Sequence, residues 1–223
     1  MNKKKVLIIA PHADDEVLGC GGFINKNKKK YDINVLILTN ANKGNPKQFS
    51  EKKISEIRKE CLVSSKILGI KKVSFENFPA PNLDQFPVSL IAETIKNYVN
   101  KFKPKMVFIP DKTDLHIDHK VIFHASMVAL RPIQKHQVKY IMSYETLSET
   151  EWEDEQFNPN FFVSLSDNDV MQKIKAFKKY KSQNMSSNHP RSSNGILNLA
   201  KYRGQFINSK YAEAFKLIRG INR

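Results

Sequence analysis

Lys5-Val6-Leu7-Ile8-Ile9-Ala10-Pro11-His12-Ala13-Asp14-Asp15-Glu16-Val17-Leu18-Gly19 is a short apolar run that stops at a proline, meets a histidine and three successive acids, and then turns apolar again. An unbroken β-branched run of that length predicts a buried strand, and the segment after the acids has helical period. The Lys3-Lys4-Lys5 cluster before it imitates the start of a signal peptide, but the apolar stretch is too short and runs straight into acids, which favours the strand. A strand followed at once by a helix is the first half of a βαβ unit. In open sheets built from such units, ligands bind beyond the carboxyl ends of the strands, which is where His12 and its acidic neighbours stand.

The same alternation continues outward along the chain. Strands are predicted at residues 5–10, 33–39, 72–75, 106–109 and 139–143, with a weaker one at 161–165. Helices are predicted at 14–27, 50–68, 88–102, 118–129, 167–181 and 193–207. Crossovers of that length favour parallel neighbours with helices on both faces. The expected fold is therefore α/β, a Rossmann-like three-layer α/β/α sandwich with a mainly parallel sheet, in one domain spanning residues 1–223. Residues 182–194, rich in Ser and Asn and carrying His189 and Arg191, are the most loop-like stretch.

Asp14, Asp15 and Glu16 at the start of a helix have a plain explanation, since acids there cap free N–H groups and complement the helix dipole. Capping accounts for one acid and leaves His12 unexplained. His12 and Asp15, three residues apart across a strand-to-helix corner, suit one metal ion, with Asp14 left free beside it. Gly19, Gly21 and Gly22 do not form a dinucleotide loop: the spacing is wrong, they fall inside the helix, and a pyrophosphate would face three acids. Close packing of the first helix on the sheet explains them better. Cys20 reads as a small core residue of the same helix.

The strand at 106–109 ends in Pro110-Asp111, and the next loop presents Asp114, His116, Asp118 and His119. This is again the carboxyl edge, and it holds two of the six histidines in the chain. An Asp118 N-cap would account for one of the four residues. His116 and His119, at i and i+3, face one cleft and offer a third ligand and a second catalytic group. Two histidines and an aspartate leave an open position on a tetrahedral ion, the mark of a catalytic site. Such an ion activates water, a free carboxylate takes the proton, and the remaining histidine serves the oxyanion.

Composition limits the other classes. The formal charge is +15, from 37 basic and 22 acidic residues, yet the lysines are dispersed and arginines are scarce. Nucleic-acid binding is therefore not expected, and the nearest basic patches, 26–30 and 175–181, fit exposed helix surface. No apolar run approaches the roughly 20 residues of a membrane-spanning helix, so no membrane insertion is expected. Two cysteines are too few for a disulfide framework, and a reducing cytoplasm fits best.

Pro11-His12-x-Asp14-Asp15-Glu16 and His116-x-Asp118-His119 resemble the motifs of the LmbE-like (PIG-L) zinc-dependent N-deacetylases. Further likeness lies in Arg58-Lys59-Glu60 with Leu68-Gly69, the turn from Thr39 to Gly44, Tyr180 to Gln183, Arg203-Gly204, and Tyr211 to Phe215. Ala13 stands where many members carry proline, which alters corner rigidity and no donor. The resemblance implies that His12, Asp15 and His119 bind Zn2+, with another divalent transition metal as the alternative. It makes Asp14 the general base, His116 the oxyanion stabiliser and general acid, and Asp118 the charge partner of His116. It implies loss of an acetyl group from an N-acetylated amino sugar of the N-acetylglucosamine type, and it places a substrate-contacting arginine at Arg58. The Glu213 region is expected to close the fold near the cleft. His189 and Arg191 are further substrate-binding candidates or plain loop, and Trp152 is either a sugar-stacking platform or a packing residue. The partner is then a small amino-sugar substrate, with homo-oligomers compatible with the family. The alternatives are a metal-dependent amidase or esterase acting on another sugar conjugate and, further off, a basic nucleic-acid-binding domain.

Overall fold

The structure, a computed structural model, describes residues 3–133 and 136–222. Seven strands form one sheet: β1 (Lys4–Ala10), β2 (Tyr31–Asn40), β3 (Lys72–Pro79), β4 (Met106–Pro110), β5 (Tyr140–Tyr144), β6 (Phe161–Leu165) and β7 (Tyr211–Gly220). The α-helices are α1 (Asp15–Asn27), the short α2 (Ala41–Gly44), α3 (Glu51–Leu68), α4 (Val88–Phe102), α5 (Ile117–Ala129), α6 (Asp167–Phe177) and α7 (Ser193–Gln205). The spatial order is β3-β2-β1-β4-β5-β7-β6. The first five strands are parallel, while β7 runs antiparallel to both β5 and β6.

Alternation along β1 separates two apolar layers. Val6, Ile8 and Ala10 pack with α1, α3, α6 and α7, whereas Leu7 and Ile9 pack with α4 and α5. Both faces of the central strands are thus covered, which is why they read as continuous apolar runs. After β3 the chain returns to the other side of β1, so the strand order reverses between β1 and β4. Such a switch point opens a crevice at the carboxyl edge. The two motif loops leave β1 and β4, which are hydrogen-bonded neighbours with Val6 opposite Met106 and Ile8 opposite Phe108.

Four details depart from the sequence reading. β7 was not expected as a strand; it alternates Tyr211, Glu213 and Phe215 with the alanines 212 and 214, which weakens the apolar signal. β3 runs on to Pro79. Helix α6 stops at Phe177, before Tyr180 turns inward to hydrogen-bond Glu16. The N-cap of α5 is His116 and not Asp118: Nδ1 of His116 accepts the Asp118 N–H at 3.2 Å.

The glycines of α1 do serve close packing. A Cβ on Gly19 would lie 2.2 Å from the Tyr144 ring, and one on Gly22 would lie 2.4 Å from Leu165. Glu213 is not at the cleft, contrary to expectation. It is buried beneath α1, where it accepts the N–H groups of Gly22 and Phe23 at 2.8 and 2.6 Å and pairs with Lys173 at 2.7 Å.

Candidate metal centre

His12 leaves the end of β1 and Asp15 opens α1, while His119 lies in the first turn of α5. Asp118 Oδ2 lies 3.1 Å from His12 Nε2, and Asp114 Oδ2 lies 2.9 Å from His119 Nδ1. Each carboxylate assigns the ring proton to the outer nitrogen, because a carboxylate only accepts. The inner nitrogens, His12 Nδ1 and His119 Nε2, then face one another with lone pairs 3.3 Å apart. Asp15 Oδ2 stands 3.3 Å from the first and 3.2 Å from the second. Three acceptors turned on one point form a group that can hold a metal ion.

The spacing also matches a metal. Ligands about 2.0–2.1 Å from a tetrahedral zinc ion stand about 3.3–3.4 Å apart. Asp15 is fully buried, and its Oδ1 has no partner among the described residues, an expensive state for a carboxylate unless a cation compensates it. A second trio, His12, His116 and Asp118, is also close enough to share an ion. It fits less well, since Asp118 is engaged with His12 Nε2 and the His116 Nδ1 lone pair caps α5.

The charges follow the same pattern. Burial works against a charge on His12, yet hydrogen bonds to Asp118 and Asp15 prevail and raise its pKa to about 9. His119 is raised well above the usual imidazole range, against burial, by Asp15 and Asp114. A proton thus takes the cation's place when no metal is bound. His116 behaves oppositely: burial, and then the neighbouring His12 and His119, lower its pKa to about 4. Its ring centroid is 4.7 Å from that of His12 and 5.0 Å from that of His119. Asp118, expected as the charge partner of His116, makes its side-chain hydrogen bonds with His12 and, through Oδ1, with the Leu83 N–H at 3.2 Å, while its charge also favours a proton on His116.

Asp14 occupies the N-cap position of α1 but its side chain makes no capping hydrogen bond, so capping does not explain the carboxylate. Its φ of 136° is a conformation that costs a non-glycine residue about 1–3 kcal/mol and that clusters at functional sites. Glu16 Oε2 holds its N–H at 3.0 Å. Burial, and then the Asp15 charge, push its carboxyl pKa up to about 7, with Arg191 opposing.

Asp14, His12, His116 and Asp118 open onto a pocket of about 380 Å3 that Arg58, Glu149 and Arg191 also line. That lies within the roughly 300–1,000 Å3 of small-molecule sites. Arg191 reaches the pocket but spends its donors on protein: Asp14 Oδ2 at 3.3 Å, Gln183 at 3.0 Å, Glu149 at 2.9 Å and Ser148 at 2.6 Å. His189 does not line it; its Nδ1 accepts the Arg191 N–H at 3.0 Å and shapes the loop. Trp152 is 70% exposed and away from the pocket. Asp114, the His119 partner, belongs to the acid- and histidine-rich loop marked in the sequence, two residues before His116, but received no role there.

Residues 7–130 match the family described as PIG-L: GlcNAc-PI de-N-acetylase. A relative named diacetylchitobiose deacetylase, from Thermococcus kodakarensis, is 25% identical over 98% of this chain and 84% of its own length. The Escherichia coli protein named uncharacterized deacetylase YaiS is 30% identical over 81% of this chain and 93% of its own. The fold is that of the N,N'-diacetylchitobiose deacetylase of Pyrococcus horikoshii, with a TM-score of 0.80 at 24% identity over 98% of this chain and 85% of that one. With more than half its length inside the family match and a 30% identical relative aligned along most of it, the chain belongs to the PIG-L family of de-N-acetylases.

Proposed function

We propose that this chain, as one domain over residues 1–223, is a zinc-dependent deacetylase that hydrolyses the acetyl amide of an N-acetylglucosamine-type amino sugar or a conjugate of it. The observation that carries the reading is the convergence of three lone-pair donors on one point, one of which, His12, lines a small-molecule pocket together with Asp14. Family membership and the sugar substrate in the name of the Thermococcus relative support the choice of acyl group and sugar. His12, Asp15 and His119 are the residues that would hold the ion. When bound, zinc supplies Lewis acidity to a water and to the acyl carbonyl.

The rest falls to the chain's own groups. Asp14, with a pKa raised by burial to about 7, takes a proton from water and returns it to the departing nitrogen. His116 is kept neutral by its surroundings, and its Nδ1 is occupied by the Asp118 N–H, so its proton sits on Nε2. We assign it as a neutral hydrogen-bond donor to the carbonyl oxygen, in place of the imidazolium acid expected from sequence. Arg191 positions Asp14 and ties the loop around Ser148 and Glu149 to the loop around Gln183. Cys20 and Cys61 are both free and buried, which suits a reducing compartment such as the cytoplasm.

The test is acetate release from N-acetylglucosamine and its glycosides by zinc-loaded and chelator-treated protein, with the metal content measured. Release that survives complete metal removal, or release from none of these sugars by loaded protein, overturns the reading.

A further inference from the structure

The pocket has two unlike halves. Around the metal centre it is polar and charged, but away from it the wall is apolar: Phe49, Ile54, Ile57, Phe75, Ala80 and Pro81. This wall is built from the loop before α3, one face of α3 and the β3 strand with the turn after it. Three of the polar residues beside the wall, Thr39, Asn40 and Arg58, direct hydrogen bonds to the protein itself. Thr39 Oγ1 donates to the Pro11 carbonyl at 2.8 Å. The Asn40 amide donates to Asn77 at 2.9 Å and accepts the Asn42 N–H at 3.0 Å. Arg58 sits 4.9 Å from the centroid of the Phe75 ring and places Nη2 on the Glu76 carbonyl at 2.7 Å and on Asn77 at 2.9 Å.

A second sugar ring laid against this wall would leave several hydroxyls without partners, at about 1–3 kcal/mol for each one buried. An apolar group would lose nothing there and would gain about 25 cal/mol per Å2 removed from water. We propose that the substrate carries an apolar, aryl or alkyl aglycone, which this half of the pocket binds. The inference rests on the deacetylase reading above, which also decides which end of the substrate is apolar. The acyl group removed is acetyl, and its one methyl cannot cover six side chains, so the apolar group belongs to the amine-bearing sugar.

Calorimetry on zinc-loaded Asp14→Asn protein, which is read as slow to turn over, would compare the methyl and phenyl N-acetyl-β-glucosaminides with N,N'-diacetylchitobiose and with methyl N-hexanoyl-β-glucosaminide. The phenyl glycoside is expected to bind at least about ten-fold more tightly than the methyl glycoside, and more tightly than chitobiose. Phe49→Ser and Ile57→Ser should each shrink that ratio. Phenyl and methyl glycosides binding within two-fold, chitobiose binding tightest, or the hexanoyl group capturing the gain would each overturn the proposal. Acetate release from the same glycosides by the unsubstituted protein separates the two failures. If all are deacetylated at equal kcat/KM, this inference falls and the deacetylase reading stands; if none is, the reading itself fails, while the binding ratio still judges the wall.

Discussion

Asp14→Asn should keep its metal by elemental analysis and lose about 10²–10⁴-fold in acetate release, the usual contribution of a positioned acid–base group. Unchanged turnover would remove Asp14 from the mechanism. Asp114→Ala should weaken zinc binding about 10–100-fold in a chelator competition, because it frees the outer nitrogen of His119. Zinc affinity should also rise with pH. In the metal-free protein His12 holds its proton up to about 9 and His119 is raised well above the usual imidazole range, so the ion must displace protons from both rings and the cost falls as pH climbs. Proton release on zinc addition, measured in buffers of different ionisation heat, checks the sign. His12, Asp14, Asp15, His116 and His119 were legible because their residue types are costly at a strand end without a purpose. The partners were not: Asp114 and Asp118 sit in one short loop, and spacing alone cannot say that one supports His119 and the other His12.

At the level of elements, α1 illustrates what a sequence conceals. Its glycines announce close packing but not what packs there. The answer is Tyr144 from β5, Leu165 from β6 and a buried Lys173–Glu213 pair contributed by α6 and β7. Lys173 donates to the Leu18 carbonyl at 2.6 Å, and Glu213 takes two N–H groups of α1, so the pair stitches the helix to the antiparallel end of the sheet. Lys173→Ala should destabilise by about 3–5 kcal/mol, since it strands a buried carboxylate. A lowered urea midpoint at unchanged m checks this, and a midpoint within error of the parent would show the pair to be dispensable.

For the whole molecule, metal loading couples the site to stability. The three donors come from two loops on neighbouring strands, and no unfolded chain offers them together. Zinc at 100 times its Kd should add about 2.7 kcal/mol, a rise in Tm of roughly 5–11 °C for a chain of this size. Melting curves with zinc and with chelator measure it, and a Tm indifferent to both would count against a site built by the fold. The +15 charge plays no visible part in the centre, which is acidic and histidine-rich. None of the described helices is long and apolar enough to cross a membrane.

Local pattern in the sequence determined the alternation of strands and helices, the parallel sheet and the two loops that carry the chemistry, because side-chain periodicity and strand-end position are properties of neighbours along the chain. Only the tertiary structure decided that β7 joins the sheet antiparallel, that Glu213 lies under α1 and away from the cleft, that Arg191 clasps Asp14, and which aspartate steadies which histidine. Those contacts join residues up to 191 positions apart, and they depend on distances of a few ångströms that no local pattern encodes.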